Sequence, residues 1–147
     1  MTPITGSIEI SRPPQDVFDY VGDLSRHKEW QSALVEVELE DDGPTKLGTK
    51  VKETRLVTGG KQSYEYEITE WEPPRVSGFK VLSGPVRPEG TITFTPLDDG
   101  ARTRVDFEME FHGHGFGKLL TGLATRDARK HVPNDLAALK ARCESQD

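Results

Sequence analysis

The chain has 147 residues, 19 basic and 25 acidic side chains, a net charge of −6 and one cysteine, Cys143. That length fits a single domain able to bury a core without staples. A lone cysteine excludes an internal disulfide framework, and the acidic balance argues against a nucleic-acid partner, which needs a basic surface.

Residues 1–10 lack the basic region and apolar run of a secretory signal. Ile4, Ile8 and Ile10 alternate with polar residues, which predicts a strand over 3–10. Pro13-Pro14 then suits a first helical turn. Val17, Val21 and Leu24, with Phe18 beside them, predict a short amphipathic helix ending at Gly22. Asp23 or Ser25 can cap a second short helix reaching Trp30.

From 33 to 112 the period is two. Val35, Val37 and Leu39 alternate with Glu36, Glu38 and Glu40, and Asp41 and Asp42 extend the acidic run. A solvated strand face that resists edge pairing explains that run better than a binding patch for a cation or basic partner. Val51, Glu53, Arg55 and Val57 form the next alternating set, then Tyr64, Tyr66 and Ile68 after the Gly59-Gly60 hairpin signal. Phe79 and Val81 share a face. Gly84-Pro85 breaks the chain before Ile92 and Phe94, and Asp98-Asp99-Gly100 turns it into Val105, Phe107, Met109 and Phe111. Six strands in a meander are expected, each antiparallel to its neighbours. After Gly113, Gly115 and Gly117 the helical period returns through Phe116, Leu120, Ala124, Ala128, Val132, Leu136, Leu139 and Cys143. One helix over about 116–143 would span roughly 40 Å, and Pro133 should bend it. No window approaches the roughly 18 apolar residues of a membrane span, so a cytoplasmic protein is expected, either monomer or homodimer.

The order is strand, two short helices, six strands, long helix: an α+β protein with a curved seven-stranded antiparallel sheet wrapped around a C-terminal helix. A helix about 10 Å across cannot fill the concave side of so wide a sheet. What remains is either side-chain core or a hollow, and the aromatic inward set suits both.

Three stretches resemble the START-like, Bet v 1-like (SRPBCC) superfamily, and within it the polyketide cyclase/dehydrase and lipid-transport group. They are Ile8-Glu9-Ile10 through Pro14, Asp16-Val17-Phe18, Tyr20-Val21, Asp23 and Trp30; Ile68-Thr69-Glu70-Trp71-Glu72-Pro73-Pro74; and Asp135-Leu136-Ala137-Ala138-Leu139-Lys140. The resemblance spans nearly the whole chain. It implies a single helix-grip domain with an internal cavity for lipids, polyketides or other apolar molecules. It transfers no catalytic set, because relatives include both enzymes and carriers.

Lys50 and Lys52 should face water, which turns Glu53 and Arg55 inward. A buried charge is costly unless paired. These two could pair structurally at the sheet edge, or anchor a polar head group. Tyr64 and Tyr66 lie across the hairpin, and a buried phenol needs a partner. Together with Arg55 they could stabilise an enolate, or be plain core. Arg55, Tyr66 and Glu53 are therefore the catalytic candidates. The expected ligand-contacting residues are Arg55, Tyr64, Tyr66, Phe79, Val81, Phe94, Phe107, Met109 and Phe111, with Leu120 and Leu123 facing the sheet from the helix. His112 and His114 could share a metal, but no nearby Cys or carboxylate completes a zinc set convincingly. A surface turn or a pH-sensitive gate fits them better. The glycines at 113, 115 and 117 lack the strand-loop-helix context of a phosphate loop, and no cofactor pattern is present. Trp30 reads as a core anchor before a cavity lid, and Cys143 has no activating base.

Three functions compete. The leading one is a carrier for a small hydrophobic molecule in a cavity of roughly 300–1,000 Å³. The second is a polyketide cyclase, aromatase or dehydratase, which requires polar groups converging on one point with a shifted pKa. The third is a protein-partner module of the chaperone-cofactor type, with a filled interior and an exposed apolar patch.

Overall fold

The computed structural model describes residues 3–40, 43–57, 59–84, 86–113 and 117–145, the side chains of 117–120 excepted. Asp41, Asp42, Pro85, His114, Gly115 and Phe116, and the side chains of Leu119 and Leu120, thus lie outside the described residues. In chain order come β1 (Ile4–Ile10), α1 (Pro14–Gly22), a 3-10 helix (Leu24–Glu29), β2 (Leu34–Leu39), β3 (Lys50–Val57), β4 (Gly60–Glu72), β5 (Val76–Val81), β6 (Val86–Leu97), a 3-10 turn (Asp98–Gly100), β7 (Arg102–Gly113) and α2 (Gly117–Glu144). The strands form one antiparallel sheet in the order β1-β7-β6-β5-β4-β3-β2. This is the α+β helix-grip arrangement. β2 through β7 follow the meander, while α1 and the 3-10 helix carry the chain from β1 at one edge to β2 at the other. Glu36 and Glu38 are exposed on that second edge, where acidic side chains discourage pairing with another chain.

α1 starts with Pro14 in its first turn and buries Val17, Phe18, Tyr20 and Val21. The Asp23 side chain accepts from the Ser25 N–H and so caps the 3-10 helix. Gly22 does not end α1 through a left-handed turn, because the capping residue is Asp23 in an extended conformation. Its smallness serves packing instead: a Cβ there would stand 2.8 Å from Trp71 Cη2. Trp71 reaches that position because a register shift between Ile68 and Glu70 breaks the alternation of β4. The bulge turns the indole inward against Phe18, with ring centroids 4.9 Å apart.

α2 packs chiefly on β1, β7 and β6. Gly6 makes this approach possible, since a Cβ there would lie 2.8 Å from Leu136 Cδ1 and 2.9 Å from Val132 Cγ1. Ile10, Phe18, Phe94, Val105, Leu136 and Leu139 form the main core between sheet, α1 and α2. A second cluster, Leu24, Val51, Tyr66, Ile68 and Val81, lies over β3–β5. The buried face of α2 corrects one expectation: Leu123 is 41 % exposed and does not face the sheet. It precedes Leu139 by sixteen residues, about 160° around the helix at 3.6 residues per turn. Thr121 and Thr125 take the inward positions instead. Burying the Thr125 side chain is tolerable because its hydroxyl donates to the Thr121 carbonyl at 2.8 Å. Among the described residues, no helix is long and apolar enough to cross a membrane.

Candidate functional site

Alternation along β3 sets the site. Lys50 and Lys52 are exposed, Val51 is fully buried, and Glu53 is 4 % exposed. Glu53 stands directly opposite Tyr64 on β4, and Arg55 opposite Gln62. Arg55 Nε donates to Glu53 Oε1 at 2.9 Å and also to the Tyr64 hydroxyl, while its Nη2 donates to Gln31 Oε1. The Tyr64 hydroxyl in turn donates to Glu53 Oε1. Three of the residues singled out by the alternation thus meet at one carboxylate oxygen. Gln31 carries no sequence signal for this contact; it follows the 3-10 helix, and its approach to Arg55 depends on tertiary placement that no local pattern encodes.

The two charges are unequally buried, with side-chain exposures of 5 % for Glu53 and 25 % for Arg55. Burial opposes the charge on Arg55, but neighbouring Tyr64 and Glu53 outweigh it and hold the guanidinium above its ordinary pKa. Burial pushes the Tyr64 phenol well up; Arg55 resists and Glu53 reinforces the shift, so the phenol keeps its proton as a donor. Tyr66 is also pushed well up, by burial and then by Glu53.

Two donors in this group stay uncommitted. The Nη1 group of Arg55 and the hydroxyl of Tyr66 make no hydrogen bond to protein among the described residues. Neither is sealed from solvent, unlike Trp30 Nε1, which is fully buried without a partner among the described residues.

The apolar candidates divide by depth. Phe94 is 1 % exposed and stacks edge-on against Phe18 at 5.0 Å, and Val81 is 2 % exposed, so both give their surface to protein packing and leave none for a guest. Phe111 is buried. Phe79, Phe107 and Met109, together with Ile92, are only half-buried. Phe79 meets Tyr66 edge-on at 6.0 Å. Apolar surface is therefore available along the middle of β5, β6 and β7. Two shallow depressions of about 360 and 230 Å³ are lined largely by outward-pointing polar residues, among them Thr5, Ser7, Asp106 and Glu108. They are distinct from the expected hollow between sheet and helix, whose α2 wall includes side chains outside the described set.

Trp30 is buried in the main core, and Arg26 pairs with Glu29 at 3.0 Å while covering the Tyr20 ring. His112 lies on the outer side of β7 and is exposed.

Comparison with known proteins agrees with the fold. A curated protein of Streptomyces lincolnensis, described as an uncharacterized 17.2 kDa protein in the melC2-rnhH intergenic region, is 26 % identical over 112 residues, covering 76 % of this chain and 70 % of that protein. The crystal structure of TTHA0849 from Thermus thermophilus superposes with a TM-score of 0.78 at 23 % identity, covering 97 % of both chains. The Zhui aromatase/cyclase of a Streptomyces species superposes with a TM-score of 0.83 at 16 % identity, covering 97 % of this chain and 93 % of that one. At these identities the structural likeness shows the fold. A family model described as polyketide cyclase/dehydrase and lipid transport matches residues 1–144. That description supports hydrophobic-ligand binding or cyclase activity without choosing between them. Matched along almost its whole length, the chain belongs to the polyketide cyclase/dehydrase and lipid transport family.

Proposed function

We propose that the protein binds a small, largely apolar molecule bearing an oxygen acceptor, with the apolar body on Phe79, Ile92, Phe107 and Met109 and the oxygen at Arg55 and Tyr66. The observation that carries this reading is the pair of uncommitted donors, Arg55 Nη1 and the Tyr66 hydroxyl, beside half-buried apolar surface. A few fixed polar groups in an apolar site are what orients such a ligand. The test is calorimetric titration with an aromatic ketone and the hydrocarbon of the same shape. A hydrogen bond to a charged donor should favour the ketone by about tenfold or more. Arg55→Met should erase that preference and leave hydrocarbon affinity unchanged. If neither probe binds, or if the preference survives in Arg55→Met, the reading fails.

Cyclase chemistry is a second reading, favoured by the convergence of Arg55 and Tyr64 on Glu53 Oε1. A guanidinium with free donors could stabilise the enolate of a poly-β-ketone during ring closure. Incubation with a reactive poly-β-ketone and chromatography of the products separates the two readings. An enzyme would shift the ring pattern away from the spontaneous mixture, and Arg55→Met would restore that mixture. A carrier would leave the pattern unchanged.

A further inference from the structure

We propose that Glu89, Glu110 and His112 form a surface site for a divalent transition-metal ion on the outer side of the sheet. Glu110 and His112 are two residues apart on β7 and so point the same way. Glu89 of β6 stands directly opposite Glu110, and the position opposite His112 is Arg87. His112 Nε2 lies 3.1 Å from Glu89 Oε1 and 3.9 Å from Glu110 Oε2. One ligand atom from each of the three falls within 4.8 Å of the others. Around a zinc ion with bonds of about 2.1 Å, tetrahedral ligands sit about 3.4 Å apart, so the observed spacings bracket the required one. One imidazole with two carboxylates is a nitrogen-oxygen set suited to zinc, manganese or iron(II) rather than to calcium alone.

The register supplies an independent reason for a cation. Glu89 and Glu110 are like charges placed directly opposite each other, an arrangement that destabilises a sheet. The His112 imidazole lies within ion-pair distance of both carboxylates but is a cation only when protonated, and the two permanent cations nearby do not relieve the repulsion. Lys80 is opposite Glu89 on β5 but forms no ion pair with it among the described residues, and Arg87 donates its Nε–H to the Gly84 carbonyl at 3.0 Å. Glu108 adds further negative charge in the adjoining depression of about 230 Å³, which Glu89 and Glu110 also line. A bound ion would turn this repulsion into attraction. His112 would then coordinate through Nε2 and carry its proton on Nδ1. The three side chains are 43–48 % exposed, which leaves water to complete the coordination and makes the site exchangeable.

The probe is zinc chloride added to untagged protein, followed by calorimetry and native mass spectrometry. One ion per chain is expected. Loss of an outer-shell partner typically costs about 10–100-fold in metal affinity, and loss of a ligand should cost no less. His112→Gln, Glu89→Gln and Glu110→Gln should therefore each weaken zinc binding at least tenfold, while His131→Gln should leave it unchanged. All four positions are solvent-accessible, and unaltered circular-dichroism melting would confirm that the fold is retained. Absence of zinc binding up to millimolar metal overturns the proposal, as does wild-type affinity in any one of the three ligand variants. None of these outcomes depends on the concave-side ligand.

Discussion

Tyr64 and Glu53 face each other directly across β3 and β4, and the phenol donates to the same carboxylate oxygen that takes the Arg55 Nε–H at 2.9 Å. Sharing one acceptor ties a strand pair, a buried charge and a flexible side chain into a single unit. Removing Arg55 takes the charge partner from Glu53 and one contact from the Tyr64 hydroxyl, and leaves only the hydrogen bond between those two. The arrangement fixes the guanidinium plane and turns its remaining donors toward accessible space.

Because the pair is buried unevenly, its two halves should respond differently to substitution. Arg55→Met leaves Glu53, 5 % exposed, without its charge partner, although the Tyr64 hydroxyl still donates to it; removing one partner of a buried ion pair costs about 3 kcal/mol. Glu53→Gln leaves Arg55, whose 25 % exposure allows water to replace part of the lost contact, so the cost should be clearly smaller. The double variant should cost less than the sum, since each single change damages the same contact. Urea denaturation of the three variants decides the matter. If Arg55→Met proves the milder single change, the burial asymmetry does not govern the pair.

Two glycines make a sharper contrast. Alanine at 6 would press on Leu136 Cδ1 and Val132 Cγ1, which are ends of side chains that can rotate. Alanine at 90 would press on the Glu108 carbonyl oxygen at 2.5 Å and on the Phe79 ring at 3.1 Å. A backbone carbonyl in the middle of a sheet cannot turn aside without breaking its ladder. Overpacking costs about 1–3 kcal/mol; Gly6→Ala should fall at the low end and Gly90→Ala at or above the high end. Equal melting temperatures for the two variants would contradict this account.

The switch from period two to period 3.6 is a local signal, so the strand count, the α2 start and the inward turn of Glu53 and Arg55 are all legible in the sequence. What the sequence conceals depends on register or on helix angle. The bulge after Ile68 reverses the alternation for Trp71. Leu123 falls on the wrong side of α2, because an apolar stripe drawn by hydrophobicity passes over Thr121 and Thr125, whose inward placement follows from helical angle. Glu89 approaches His112 only through the β6–β7 pairing, 23 residues away in sequence, so the chain near His112 offers Glu110 as a ligand but not Glu89. Gln31 is concealed for the same kind of reason.

The 3-10 helix beside this site contains a titrating group whose effect on stability has a definite sign. His27 donates its Nε2–H to the Val21 carbonyl, the two atoms lying 2.7 Å apart, and its ring meets Trp30 edge-on at 5.4 Å. A carbonyl can only accept, so this contact fixes the Nε2–H tautomer. Burial lowers the His27 pKa; the Val21 contact and the Glu53 charge oppose the shift, and Arg55 assists it. An unfolded histidine titrates near pH 6.5, so as pH falls the unfolded chain takes up the proton first. The stability that His27 contributes is therefore complete above about pH 6.5 and is lost as pH falls through its folded value. Glu29, held low by its hydrogen bond from Arg26, and Glu144, held low by Lys140, add their own acid losses. Those begin nearer the ordinary carboxylate value of about 4.3, so the histidine window stands apart from them. In urea denaturation, His27→Gln should flatten the fall in stability just below pH 6.5, because glutamine can still donate to Val21 and carries no titrating charge. An unchanged slope in that variant would place the titration elsewhere in the chain.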